Sequence, residues 1–212
     1  MTQDITVALI EDDEPMRKAL AFQLQSADFQ VLSFGAAEDF LAEPDRARVD
    51  CVVVDLHLPR MSGLHLQEEL HRSIPCASVI FITGQGDVSI GVRAMKEGAV
   101  DFLEKPLDDA ALLDSIRRGA NHSRLLRTSQ AERVELEKRH ASLTPRERQV
   151  FALVTSGLLN KQAGSQLGTS ERTIKAHRAR VVEKMRAGSF AELVRMGAVL
   201  GIHTTRTGLD RP

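Results

Sequence analysis

The run Cys51-Val52-Val53-Val54-Asp55-Leu56-His57-Leu58-Pro59, continued by Arg60-Met61-Ser62-Gly63-Leu64, constrains the fold more than any other stretch. An apolar, β-branched run reads as a strand buried on both faces. A carboxylate ends it, and Pro59 and Gly63 punctuate a loop before the next helix. In open α/β sheets the chemistry collects at the carboxyl ends of strands, which is where Asp55 falls. Taken alone, Asp55 is equally well a turn residue. The rest of the chain decides.

Thr6 to Ile10 is a short apolar strand that runs into Glu11-Asp12-Asp13-Glu14. Four adjacent carboxylates repel one another unless a cation sits nearby. Pro15 suits the first turn of a helix, with Met16, Ala19, Leu20, Phe22 and Leu24 as its expected apolar face. Further strands are predicted over 29–34, 49–54, 78–83 and 100–103, and helices over 36–41, from Leu64 to Ile74, and over 88–97. Thr83-Gly84-Gln85-Gly86 breaks the fourth strand. Strands alternating with helices predict an α/β fold with a five-stranded, doubly wound parallel sheet.

In such a sheet Glu11, Asp12, Asp55, Thr83 and Lys105 all lie at carboxyl ends of strands. Glu11 and Asp12 offer hard oxygen ligands to a divalent cation such as Mg²⁺. Asp55 adds a third carboxylate and can attack phosphorus to give an aspartyl phosphate. Lys105 can neutralise phosphoryl charge, and the Thr83 hydroxyl can bond a phosphoryl oxygen. The metal lets an anionic nucleophile approach an anionic phosphate.

The 212 residues suit two domains, and their charge is split. Residues 1–120 hold 11 Lys and Arg against 21 Asp and Glu, a balance of −10, whereas residues 121–212 hold 17 against 8, a balance of +9. A basic half joined to an acidic one points to a polyanionic partner for the second. No basic, apolar leader opens the chain and no apolar run reaches membrane-spanning length. Cys51 and Cys76, the two cysteines, read as buried thiols in a reducing compartment. A cytoplasmic location and no membrane partner are expected.

Residues 108–141 contain no Pro and one Gly, with apolar residues spaced too irregularly for a sustained heptad. They read as a fifth helix running into a helical linker over 121–142, either a rigid lever or flexible about Ser123 to Ser129. Leu143-Thr144-Pro145-Arg146-Glu147 is a helix start, with Thr144 as N-cap and Glu147 closing a capping box. A short helix over 160–167, ended by Gly168, precedes one over 171–185 capped by Thr169 or Ser170, and a fourth spans 189–200. Two helices about a short Gly-containing turn are the helix-turn-helix pattern. A polar tail, 203–212, ends the chain. On the third of these helices Ile174, His177, Val181 and Met185 are the predicted core face. Arg172, Lys175, Ala176, Ala179 and Arg180 form an outward arc suited to a major groove. Arg178 lies near the apolar stripe, from which it can snorkel to a phosphate. Lys161 is a further phosphate contact.

Residues 5 to about 120 resemble the receiver domain of two-component response regulators. The resemblance is carried by Ile10-Glu11-Asp12-Asp13, Val54-Asp55-Leu56-His57-Leu58-Pro59 with Gly63, Phe81-Ile82-Thr83-Gly84, and Asp101-Phe102-Leu103-Glu104-Lys105-Pro106. It implies the flavodoxin-like strand order 2-1-3-4-5. It implies Asp55 as phosphoacceptor, and Glu11, Asp12, Asp55 and the backbone carbonyl of His57 as metal ligands. Glu11 stands where the family often has Asp and keeps the charge. By the same resemblance Thr83 moves toward the phosphoryl group, Phe102 is the switch aromatic, and the surface of the fourth helix, fifth strand and fifth helix changes toward dimerisation.

Residues 143 to about 202 resemble the LuxR-type DNA-binding domain through Leu143-Thr144-Pro145-Arg146-Glu147, Gly157, Asn160-Lys161 and Thr173-Ile174-Lys175-Ala176-His177-Arg178. Gln162-Ala163-Gly164 departs from the family's usual Ile-Ala pair, and Gly164 should weaken its helix by up to about 1 kcal/mol. The combination resembles NarL/FixJ-type response regulators. It implies a phosphoacceptor that supports its own phosphoryl transfer and dephosphorylation, not an enzyme. The implied partners are a sensor histidine kinase, double-stranded DNA, a second copy of the chain on phosphorylation and, at a promoter, RNA polymerase. An aspartate-nucleophile phosphatase usually needs a second Asp where His57 stands, and leaves the basic helices unexplained. A nucleotide-binding oxidoreductase would need a glycine fingerprint after the first strand. His57 as a phosphohistidine is superfluous beside Asp55, and a regulator indifferent to phosphorylation leaves the full acidic, Thr and Lys set without a use.

Overall fold

The structure, a computed structural model, describes residues 5–84 and 88–202. The chain divides into two compact units, Met1–Thr128 and Ser129–Pro212. The first is built on five parallel strands: β1 (Thr6–Ile10), β2 (Gln30–Phe34), β3 (Cys51–Asp55), β4 (Ser78–Thr83) and β5 (Asp101–Glu104). Their order is β2-β1-β3-β4-β5, the 2-1-3-4-5 order that the resemblance implies. Between them run α1 (Glu14–Ser26), α2 (Ala37–Ala42), a 3-10 turn at Pro44–Arg48, α3 (Gly63–Ser73) and α4 (Val88–Lys96), and α5 (Asp109–Ala141) follows β5.

Every residue of β3 is buried, and its side chains alternate between two cores. Val52 and Val54 join Ala8, Ile10, Phe81, Leu66 and Leu70 on the face covered by α2, α3 and α4. Cys51 and Val53 join Val7, Leu9, Leu20, Leu24, Leu112 and Ile116 on the face covered by α1 and α5. Asp13 caps α1 by accepting the Met16 N–H at 2.8 Å. Two residues of the expected apolar face are exposed, Ala19 and Phe22. Phe22 is 73% exposed, because the face of α1 that packs runs through Leu20 and Leu24 at i, i+4, and Phe22 points away from it.

Helix α5 is continuous from Asp109 to Ala141. Leu112, Ile116 and Ala120 bury its first turns at four-residue spacing. The stripe then turns polar without leaving the protein. Ser123 is fully buried; its hydroxyl donates to the Asp50 carbonyl and its oxygen accepts the Ser78 N–H at 2.9 Å. The Asp50 carboxylate, also buried, accepts from Arg127 at 2.6 Å and from the Thr6 N–H at 3.1 Å, and Arg127 bonds the Val49 carbonyl as well. The amino-terminal ends of β1, β3 and β4 are thereby tied to α5 as far as Arg127.

In the second unit α6 (Pro145–Thr155), α7 (Asn160–Gln166), α8 (Glu171–Met185) and α9 (Phe190–Val199) enclose Val150, Phe151, Val154, Ile174, Val181, Met185 and Leu193. The capping box at Thr144 and Glu147 forms as the residues predict. Ser170, not Thr169, caps α8. His177 is only half buried, so the core stripe of α8 is Ile174, Val181 and Met185. Gly164 has a packing reason: a Cβ there would lie 2.8 Å from the Thr169 carbonyl oxygen, in the turn that α7 packs against. The expected turn at Gln85-Gly86 and the tail 203–212 lie outside the described residues.

Truncating one member of a buried ionic network strands the others. Asp50→Ala is expected to cost the first unit about 3 kcal/mol. Limited trypsin digestion checks it: cleavage after Arg124 and Arg127 should be faster than in the wild type.

Candidate functional site

Register builds the site. Ile10 pairs with Val54, so the residues leaving β1 emerge beside the end of β3. Carboxylate oxygens of Glu11, Asp12 and Asp55 all lie within 4.8 Å of one another. Glu11 and Asp55 are buried and Asp12 is exposed. Lys105 follows β5, and its N–H bonds the Thr83 carbonyl at 2.7 Å, which carries it back toward β4. Its ammonium lies 2.8 Å from Glu11 Oε2 and also contacts Asp55 Oδ2. The His57 N–H donates to Asp55 Oδ1 at 2.8 Å and fixes that carboxylate's orientation. Thr83 is buried at the end of β4, directly after Ile82, the partner of Asp55 across the sheet. Gly63 permits the fold-back of the loop, since a Cβ would sit 2.9 Å from both the Asp55 carbonyl oxygen and the Phe81 ring.

Burial pushes the Glu11 carboxyl above its ordinary pKa, with the Lys105 hydrogen bond opposing and the charge of Asp55 adding. Burial pulls the Lys105 amine down, but its hydrogen bonds to Asp55 and Glu11 outweigh that, so its pKa is raised and it stays charged. Three carboxylates and one ammonium leave a site still short of positive charge. The all-oxygen, carboxylate donor set fits a hard divalent cation of the Mg²⁺ kind.

Phe102 is half buried on β5. Its ring lies against α4 at Gly91, where a Cβ would come within 3.0 Å. Together with the exposed Val92 and Met95 it lines an apolar groove of about 610 Å³.

In the second unit, Arg172, Lys175, Ala176, Ala179 and Arg180 are all exposed on α8, as is Lys161 at the start of α7. Arg178 is different. Its guanidinium stacks over the Phe190 ring at 4.1 Å and donates to Asn160 Oδ1 at 3.3 Å. The expected snorkelling side chain is thus held in place by α7 and α9.

Comparison with known proteins fits both halves. Residues 7–117 match the response regulator receiver domain family, and residues 141–197 match the luxR family of bacterial regulatory proteins. Nodulation protein W of Bradyrhizobium diazoefficiens is 42% identical over 201 residues, spanning 95% of this chain and 88% of that protein. The transcriptional regulatory protein FixJ of Azorhizobium caulinodans is 41% identical, spanning 95% and 96%. The chain is a response regulator of the NarL/FixJ type. Among solved structures, the response regulator StyR superposes with a TM-score of 0.78 at 39% identity, over 92% of this chain and 99% of that one. Full-length FixJ from B. japonicum gives 0.56 at 38% identity, over 96% and 100%. As a member of this family the chain is a two-component transcription regulator. Its receiver gathers the Glu11, Asp12 and Asp55 carboxylates, with Lys105 on two of them.

Two charged residues of this response regulator do more than their motifs show. Arg146 reaches the Leu167 carbonyl at 2.6 Å and ties α6 to the end of α7. Glu147, read from the sequence as a capping residue, also binds Lys184 of α8 at 2.7 Å. The hydrogen bond from Lys184, followed by that from the Thr144 N–H, holds the Glu147 carboxyl at a pKa of about 2. A carboxylate lowered in the folded state stabilises fully above its ordinary value of 4.5, and that stability is lost as pH falls toward about 2. Glu147→Gln is expected to cost about 2 kcal/mol at neutral pH, since Lys184 remains partly hydrated. Hydrogen exchange of α6 and α8 amides checks this: wild-type protection should decline below pH 4.5, and the variant should lack that decline.

Proposed function

We propose that Asp55 is the phosphoacceptor of this regulator, taking its phosphoryl group from a sensor histidine kinase. The observation that carries the reading is the convergence of Glu11, Asp12, Asp55 and Lys105 on one point at the end of the sheet. One Asp55 carboxylate oxygen forms the bond to phosphorus as the bond from phosphorus to the donor nitrogen breaks. The His57 N–H holds Asp55 oriented through Oδ1. Lys105 already lies on the carboxylate that attacks, so it is placed to take up phosphoryl charge. Thr83 is the hydroxyl that closes on the phosphoryl oxygen. A divalent cation held by Glu11, Asp12, Asp55 and the His57 carbonyl supplies further charge neutralisation.

The output follows at two surfaces. Phe102 and the apolar groove along α4 are the receiver surface that changes on phosphorylation and pairs with a second copy. The exposed arc of α8 enters the DNA major groove, with Lys161 and Arg178 on phosphates. This work is cytoplasmic, where the DNA is. Among the described residues no helix is long and apolar enough to cross a membrane.

Asp55→Asn should accept no phosphoryl group from a labelled small phosphodonor while keeping its circular dichroism. A label retained on that variant sinks the assignment. In sedimentation with Mg²⁺ and beryllofluoride, the wild type should dimerise and Asp55→Asn should remain monomeric. Lys175→Ala should weaken DNA binding about tenfold, and the plot of affinity against salt should flatten by about one unit if the contact is to phosphate. An unchanged affinity and site preference would remove Lys175 from the interface.

A further inference from the structure

Arg17, on the first turns of α1, takes no part in the acidic cluster's carboxylate contacts, yet it is bonded to the same loop. Its Nη1 donates to the Glu11 carbonyl at 2.6 Å and to the Asp12 carbonyl at 3.2 Å. One guanidinium nitrogen therefore bridges two successive peptides of the loop whose side chains point into the site. The guanidinium rests beside Gly35, where a Cβ would lie 3.4 Å from Nη1, in ordinary contact. The same loop is held at its other end by the Glu11 N–H on the Phe34 carbonyl at 3.2 Å and by Asp13, which caps α1.

The two cations near this site hold it differently. Lys105 lies on the carboxylate oxygens themselves and so competes with any bound metal. Arg17 bonds only main-chain oxygens and leaves the carboxylates open. We infer that Arg17 is a positioning residue for the divalent-cation site, clamping the Glu11 and Asp12 peptides so that their carboxylates stay together with that of Asp55. The need is physical. Asp12 is exposed and its neighbours are anions, so an unclamped loop relieves repulsion by turning that side chain into water. Partners that orient metal ligands in this way typically change metal affinity by ten- to a hundredfold. This inference rests on the reading of Glu11, Asp12 and Asp55 as metal ligands.

Charge and position predict opposite signs, which makes the test decisive. Removing a positive charge near the site should tighten Mg²⁺ binding; removing a clamp should weaken it. Calorimetric titration of the full chain with Mg²⁺ compares wild type, Arg17→Ala, Arg17→Lys and Asp12→Asn. The expected result is a Kd raised about tenfold in Arg17→Ala, and raised also in Arg17→Lys, because an ammonium keeps the charge without the planar fork. Circular dichroism without metal should be unchanged, and should Arg17→Ala not fold, Arg17→Lys carries the comparison. Binding in Arg17→Ala that is equal or tighter than wild type, or Arg17→Lys indistinguishable from wild type, overturns the clamp while leaving the metal site intact. Wild type without saturable Mg²⁺ binding, or Asp12→Asn binding as wild type does, overturns the metal reading and the clamp with it.

Discussion

Three carboxylates meet at the carboxyl ends of β1 and β3 with one ammonium, which contacts two of them, and much of the receiver's construction serves to hold that imbalance. Left to themselves, the three carboxylates would separate, and burial already raises the pKa of Glu11. What prevents it is the strand register, which fixes where each chain leaves the sheet, and the depth of β3, which has no exposed residue along its length. A site kept short of positive charge responds strongly to any change in its charge. Under the proposed assignment, a phosphoryl group on Asp55 would bring more negative charge and give Lys105 a new partner, so the contact that holds the resting site is the one it would redistribute.

The second unit handles a buried carboxylate in the opposite way. Glu147 is fully matched: it accepts from the Thr144 N–H, from Lys184, and sits in the favourable first turn of α6. Nothing remains for a ligand to complete, so its role is to fix α8 against α6. The exposed residues of α8 can face a groove because the helix beneath them is pinned by Ile174, Val181 and Met185 on one side and Lys184 on another. Arg178, stacked on Phe190 and bonded to Asn160, extends the same logic to a charged side chain at the edge of that surface. A cation restrained before binding loses less entropy when it meets a phosphate.

Local signals carried most of the fold. β-branched runs located the strands to within a residue or two, because a central strand of a parallel sheet admits little else. Thr144, Pro145 and Glu147 located the start of α6 because caps act within four residues. The acidic cluster was legible for a different reason: its members sit at equivalent positions of successive strands, so topology alone brings them together. Where the sequence misled, the deciding contact was distant or depended on helix phase. Phe22 lies on the opposite side of α1 from Leu20 and Leu24 by helical angle, though hydrophobic by type. His177 falls on the apolar side of α8 but lies only half within it. Gly164 looked like a weak point in α7 and is a close approach to the backbone at Thr169. The bonds of Asp50 with Arg127, 77 residues away, had no local signature at all.

That last network bears on how a signal leaves the receiver. Asp50 precedes β3 and Asp55 ends it, so the two lie roughly 16 Å apart at about 3.3 Å per residue, at opposite ends of one buried strand. A strand packed on both faces and bonded on both edges moves as a unit or not at all. The Asp50–Ser123–Arg127 network is therefore an anchor that holds α5 to the sheet. The parts of the receiver free to respond are those outside that frame. Phe102 on the edge strand β5 is only half buried, its ring against Gly91 of α4 and beside the exposed Val92 and Met95. Rigidity at the amino-terminal ends of the strands would confine the proposed response to the edge where β5 and α4 meet.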